Sequence, residues 1–279
     1  VFRKFFAEGA FNQAFIPIYS EYLGSKDEKG SKDFLNALFG ILLSALFIFS
    51  ALALLFAPIF ILIFAPGFYF DTLKQDLAVS LLRIMFPYLA LISLVAFAAG
   101  IQNSHNKFSI PAVTPLIFNL SLICSAWLVA PRIEIPVMAL AWGVLLAGFL
   151  QLLFQIAPLA TIKKIPVPKI DFQNPGVKKF FILVLPAIIA GGIAQINLLV
   201  DTIFASLLIT GSPTWLYVSD RLIQFPMGIF AIAIGTVLLP SLSKAYAKKE
   251  IEAFTDQLAH AFKLIFFLMA SATNKILFG

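Results

Sequence analysis

FLNALFGILLSALFIFSALALLFAPIFILIF, residues 34–64, runs without a single charged side chain. A helix rises about 1.5 Å per residue and the hydrocarbon core of a bilayer is roughly 30 Å thick, so about 20 apolar residues suffice to cross it. Residues 34–64 are long enough to cross a membrane, and the whole chain agrees with that reading. It is 61% hydrophobic and 12% charged, with a mean hydropathy of +0.96, whereas soluble domains carry about 25% charged residues. The 31 Phe residues are spread through every apolar segment, as suits helices packed against lipid and each other. The sequence is that of an integral membrane protein.

Eight candidate spans follow from the same measure: residues 1–22, 34–64, 77–101, 110–130, 135–160, 180–209, 215–242 and 254–270. Short apolar-polar alternation is absent, which argues against a β-barrel and for an all-α polytopic helix bundle. The polar breaks differ sharply in charge. The first, third, fifth and seventh hold Lys26, Lys29, Lys32, Lys107, Lys163, Lys164, Lys169, Lys178, Lys179, Lys244, Lys248 and Lys249, while the others hold only Lys74 and Arg132. Positive-inside bias makes the cation-rich breaks cytoplasmic. The pI near 9.4 thus reflects topology and anionic headgroups, not a nucleic-acid groove. The longest break, 161–179, carries Pro166, Pro168 and Pro175 and five of those lysines. It reads as a linker between a lobe over 1–160 and the start of a second lobe over 180–279.

An internal echo supports two pseudo-symmetric lobes around a central cavity. The first span reads Arg3, Phe6, Gly9, Phe11, then Pro17, Ser20 and Tyr22; the seventh reads Arg221, Phe225, Gly228, Phe230, then Pro240, Ser243 and Tyr246. The Phe-to-Pro gap differs by about one helical turn, so the same face returns. Repeats of this kind are a common transporter plan.

Charges inside the spans point to what the cavity holds. An ionised group in hydrocarbon costs from about 2.5 to more than 10 kcal/mol, so it survives only facing protein or water. Lys4 and Glu8 stand four residues apart and can pair on one face. Arg3 projects about 100° from Lys4 and about 140° from Glu8, free to address the interior. Asp220 and Arg221 are sequence neighbours that share a face poorly, which leaves a second free arginine. Asp201 beside Thr202 is a candidate for a coupling cation or proton, or for pairing with Arg221, and Arg83 is read as an interface or packing cation. Arg3, Lys4, Arg83, Arg221 and Lys263 outnumber Glu8, Asp201 and Asp220, which favours an anionic occupant. Two guanidinium groups from opposing halves suit a pyrophosphate, because each can form two parallel hydrogen bonds to its oxygens.

Other chemistries find little support. His105 and His260 have no metal-ligand spacing, no serine in a span has a histidine partner for a triad, and there is no phosphate-binding loop of an ATP motor. The chain reads as a non-enzyme whose work comes from an ion gradient, the membrane potential or the concentration gradient of the cargo. Cys124, the single cysteine, is expected to be a small packing residue. Pro186 with Gly191 and Gly192, and Pro226 with Gly228, mark helix weak points suited to alternating access or to static bends.

FRKFFAEGAFNQAFIPIYSEY, FPYLALISL, NKFSIPAVTPLIFNLS and YVSDRLIQFPMGIFAIAIGTVLLPSLSKA resemble the MurJ (MviN) family of bacterial lipid II flippases, within the superfamily of multidrug and oligosaccharide-lipid exporters. The likeness extends over essentially the whole chain, with SATNKILFG at 271–279 departing from the pattern. It implies a fourteen-helix, two-lobed protein of the bacterial inner membrane that moves undecaprenyl-pyrophosphate-linked peptidoglycan precursor, lipid II, to the outer leaflet. It also implies that this chain is an internal fragment from the second helix to part of the ninth. On that mapping Arg3, Lys4 and Arg221 bind substrate, Glu8 and Asp220 are supporting charges, and Asp201 resembles a Na+ ligand. The partners implied are lipid II, membrane lipids and cell wall synthesis or division proteins. Export of O-antigen lipids or drugs, or a scaffold role for wall-synthesis enzymes, are the alternatives.

Overall fold

The computed structural model describes residues 10–226, together with Thr255, Ala259, Phe262, Lys263 and Phe266. The described residues contain helices and no strand: α1 (Ala10–Gly24), α2 (Glu28–Leu55), α3 (Ala57–Phe64), α4 (Thr72–Met85), α5 (Pro87–Ser104), α6 (Ser109–Cys124), α7 (Pro136–Thr161), α8 (Pro175–Ser206) and α9 (Ser212–Pro226). The all-α expectation holds. Four continuous helical stretches among them, Glu28–Leu55, Thr72–Ser104, Ser109–Arg132 and Pro136–Thr161, are long and apolar enough to cross a membrane.

Helix ends fall where the backbone chemistry puts them. The apolar run at 34–64, read as one span, is divided at Phe56, where Pro58 in the first turn of α3 cannot donate to the preceding helix. Pro87 marks the junction of α4 and α5 within 77–101, where Phe86 keeps helical backbone angles and the stretch 72–104 runs on. Asp27 caps α2 by accepting from the Gly30 amide at 2.8 Å, and Asn174 caps α8 by accepting from Gly176 and Val177. Pro186, by contrast, is carried inside an unbroken α8.

Contacts divide the chain into two units, Val1–Leu207 and Leu208–Gly279. In the first, α1 lies at the centre. Phe11, Phe15 and Tyr19 repeat every four residues, stack at 5.5 and 5.3 Å, and are buried against Phe34 of α2, Phe97 of α5 and Phe180 of α8. Outer faces are apolar: Phe47, Ile182 and Trp127 are more than two-thirds exposed, which water would penalise and lipid does not. Cys124 is exposed on α6, so the expected packing role is corrected. The helix turns its polar Ser121 inward instead, where Ser121 Oγ donates to the Gly143 carbonyl at 2.8 Å.

The segment expected to be a lobe linker is bound to the first unit. Val167 N donates to Asn36 Oδ1 at 2.8 Å and Lys169 N to the Asn36 carbonyl at 3.1 Å. A Cβ at Gly40 would collide with the Lys169 backbone, so glycine there permits the crossing. Lys179 pairs with Glu21 at the start of α8. At the other end of α8, Ser206 Oγ accepts from the Gly67 amide at 3.1 Å. The break between units therefore falls at Leu207/Leu208, with α8 in the first unit.

Candidate functional site

Of the residues expected to form a site, Arg3, Lys4 and Glu8 lie outside the described residues. So does the second half of the internal echo beyond α9. Asp201, Asp220 and Arg221 are described.

Arg221 sits on α9, in the second unit, within a cluster spaced three and four residues apart. Its Nε donates to Tyr217 Oη at 3.1 Å, its Nη1 reaches Gln224 Oε1 at 3.5 Å, and its guanidinium carbon stands 5.1 Å from the Tyr217 ring centroid. Gln224 Nε2 donates to Asp220 Oδ2 at 2.6 Å. Gln224 thus stands between the two charges that sequence adjacency separates. The guanidinium is exposed and, among the described residues, makes no ion pair. A cation steered by a ring and a neutral amide keeps open hydrogen-bond donors for an external anion. Tyr217 and Gln224 were legible only as positions four before and three after Arg221; nothing in their residue types singled them out.

Asp201 lies exposed on α8, in the first unit. Its neighbour Thr202 turns its hydroxyl to the Leu198 carbonyl of its own helix at 2.7 Å. Among the described residues no cluster of three or more His, Cys, Asp or Glu could hold a metal ion. Arg83 is exposed in the last turn of α4.

Sequence reasoning missed two polar constellations in the first unit. Between α5, α6 and α7, Gln102 donates to Gln155, Gln155 Nε2 donates to Thr114 Oγ1 at 2.8 Å, and Gln151 Nε2 donates to the Thr114 carbonyl at 3.1 Å. All four residues are buried. Amides facing each other inside an apolar bundle hold helices together, since lipid offers them no partner. At the cation-rich end, Tyr19 Oη and His105 Nε2 share a hydrogen bond of 3.0 Å, with rings edge to face. Burial and the nearby Lys164 charge hold His105 below its usual value. This contact, the Asn36 bonds and the packing of Gly176 on Tyr22 and Phe34 gather the breaks 24–33, 102–107 and 161–179 at one end of the unit.

A chain whose described residues are all-α, with four stretches long and apolar enough to cross a membrane, is a multi-pass membrane protein. The comparisons specify which. The family model "Lipid II flippase MurJ" matches residues 1–279, including 271–279, where departure was expected. The chain is 39% identical over 255 residues to the probable lipid II flippase MurJ of Haemophilus influenzae, covering 89% of this chain and 50% of that protein. It is 41% identical over 244 residues to the probable lipid II flippase MurJ of Buchnera aphidicola, covering 88% and 48%. With the lipid II flippase MurJ of Burkholderia cenocepacia it shares 36% over 280 residues, covering 99% and 54%. The chain belongs to the MurJ lipid II flippase family, and it spans about half the length of the curated relatives it matches.

Proposed function

We propose that the protein to which this chain belongs moves lipid II from the inner to the outer leaflet of the bacterial cytoplasmic membrane, for cell wall synthesis. It works by alternating access and without covalent chemistry on its cargo. Arg221 and Arg3, aided by Lys4, hold the pyrophosphate in a hydrated cavity between an N-terminal lobe and a C-terminal lobe, while the polyprenyl tail stays in lipid. Glu8 and Asp220 temper the field of these cations. Asp201 takes the coupling cation, Na+, or responds with the other charges to the membrane potential. Family membership supports the cargo, and the arrangement around Arg221 is the observation that carries the role of the arginines. Its guanidinium is oriented by Tyr217 and Gln224 and has donors left for a bidentate phosphate contact.

The test is charge reversal in the full-length protein, Arg221→Glu and Arg3→Glu made separately. The expected outcome is loss of precursor at the outer leaflet with normal insertion in the membrane, measured by the accessibility of lipid II to an external probe. Normal delivery by either variant would remove that arginine from the mechanism, and normal delivery by both would favour a scaffold role.

A further inference from the structure

At the cation-rich end of the first unit, the N-terminal part of α2 and the chain leaving α7 enclose a cleft of about 400 Å³. Its charged lining is Lys32, Lys163, Lys164 and Glu28, and its apolar lining includes Leu35 and Pro166. Leu35 is only 2% exposed, so the floor belongs to the packed unit. The cleft's shape is fixed from both sides. Lys163 takes a left-handed backbone conformation with φ 55°, closing the end of α7, and the two bonds from Asn36 pin residues 167 and 169 against α2. Among the described residues none of the three lysines has an ion-pair partner, and against the one Glu28 carboxylate they leave a surplus of positive charge.

We infer that this cleft binds the phosphodiester headgroup of an anionic phospholipid of the cytoplasmic leaflet, with the lysines on the phosphate and the accessible Ile165 and Pro166 of its lining against the glycerol and upper acyl carbons. The combination is what selects a lipid. A free phosphate needs the charges and has no use for the apolar floor, whereas a headgroup at the hydrocarbon boundary presents both chemistries to one cleft. The position agrees, since the cleft lies among the lysine-rich breaks that positive-inside bias assigns to the cytoplasmic side. A lipid seated there ties α2 to the end of α7. This inference rests on the membrane topology and not on the identity of the cargo, so the two can fail separately.

The experiment uses the full-length protein and titrates phosphatidylglycerol against it, reading bound lipid by native mass spectrometry. Three forms are compared: the unaltered protein, the K32Q/K163Q/K164Q variant, and a K26Q/K29Q/K178Q variant that removes the same charge from the same end outside the cleft. A basic side chain near the surface accounts for roughly a fivefold change in lipid affinity. The cleft variant is expected to weaken phosphatidylglycerol binding on the order of a hundredfold, and the control variant by a few fold. A K32R/K163R/K164R variant should retain binding, which separates lost charge from lost fold. Equal weakening by the control set, or unchanged binding by the cleft variant, would overturn the inference in favour of diffuse surface attraction. Displacement of the lipid by inorganic phosphate at matched concentration would overturn the lipid assignment and leave a soluble-anion site.

Discussion

Arg221 shows how a single helix can prepare a charge for a ligand. Tyr217 offers it both a hydroxyl and a ring, and these can be separated. Tyr217→Phe removes the hydroxyl acceptor and keeps the ring; a hydrogen bond to a charged group is worth about 1.5 kcal/mol at the low end, which suits an exposed pair, so lipid II delivery by the full-length protein should fall by roughly tenfold. Tyr217→Ala removes both supports and should fall further, measured in the same outer-leaflet assay. If Tyr217→Ala matched Tyr217→Phe, the ring contact would have no part in orienting the arginine. His105 carries a different consequence at the same scale. Its folded value is depressed by burial and by Lys164, so the unfolded chain binds the proton more readily. Its contribution to stability is therefore complete above about 6.5, the ordinary value, and is lost as pH falls below it. Thermal unfolding midpoints should decline on acidification from that point, and His105→Gln should make the decline shallower. A decline of equal steepness in the variant would assign it to other groups. The charges themselves were legible in the sequence, because an ion in an apolar run is costly wherever it stands. Their partners were not, since Tyr217, Gln224 and Tyr19 are ordinary residues until a backbone brings them within reach.

Single helices were largely readable, and the contacts between them were not. Pro58 and Pro87 mark helix junctions by a local rule, and Asp27 and Asn174 begin helices by another. Gly40 follows no local rule: it sits inside α2 because the segment after α7 crosses there. A lysine-rich, proline-rich stretch reads from composition as a linker between two bundles, and only the Asn36 bonds reveal that its residues 167 and 169 also form a strap on α2. Gly40→Ala places a methyl group against the Lys169 backbone. Overpacking of this kind costs about 1–3 kcal/mol, and because the strap is at the surface the expected result is its release. Limited proteolysis with a lysine-specific protease should then cut at Lys163, Lys164 or Lys169 faster than in the unaltered protein, and unchanged cleavage would mean that the strap is held elsewhere. The glutamine network gives an element-scale prediction of the opposite design. Gln155→Leu breaks two hydrogen bonds and strands Gln102, at a cost of about 1–2 kcal/mol for amide contacts inside a bundle. Gln102→Leu combined with Gln155→Leu leaves no stranded Gln102 amide and should recover part of that loss. A double variant as unstable as the sum of the single ones would show that the pair is not coupled.

For the whole molecule, the decisive pattern is the uneven placement of lysine between alternate breaks, which composition made visible before any contact was known. The first unit gives it a spatial form: the breaks 24–33, 102–107 and 161–179 meet around Tyr19, Asn36 and Gly176. Lys74 and Arg132 stand in breaks on the far side of the intervening helices, Lys74 paired with Asp71 at 2.9 Å beside the turn that leads into α4. A chain crossing a bilayer with these helices must put the two groups in different aqueous phases, because a lysine left at the wrong surface would abandon the anionic leaflet that attracts it. The prediction is read by single cysteines at Lys29, Lys107, Lys164, Lys74 and Arg132 in a full-length Cys124→Ser background, treated in intact cells with a membrane-impermeant maleimide. Positions 74 and 132 should label in intact cells, and positions 29, 107 and 164 only after the membrane is opened. Labelling of 107 or 164 from outside would invert the first unit. It would also separate the lysine-lined cleft from the cytoplasmic leaflet on which its assignment to a lipid depends.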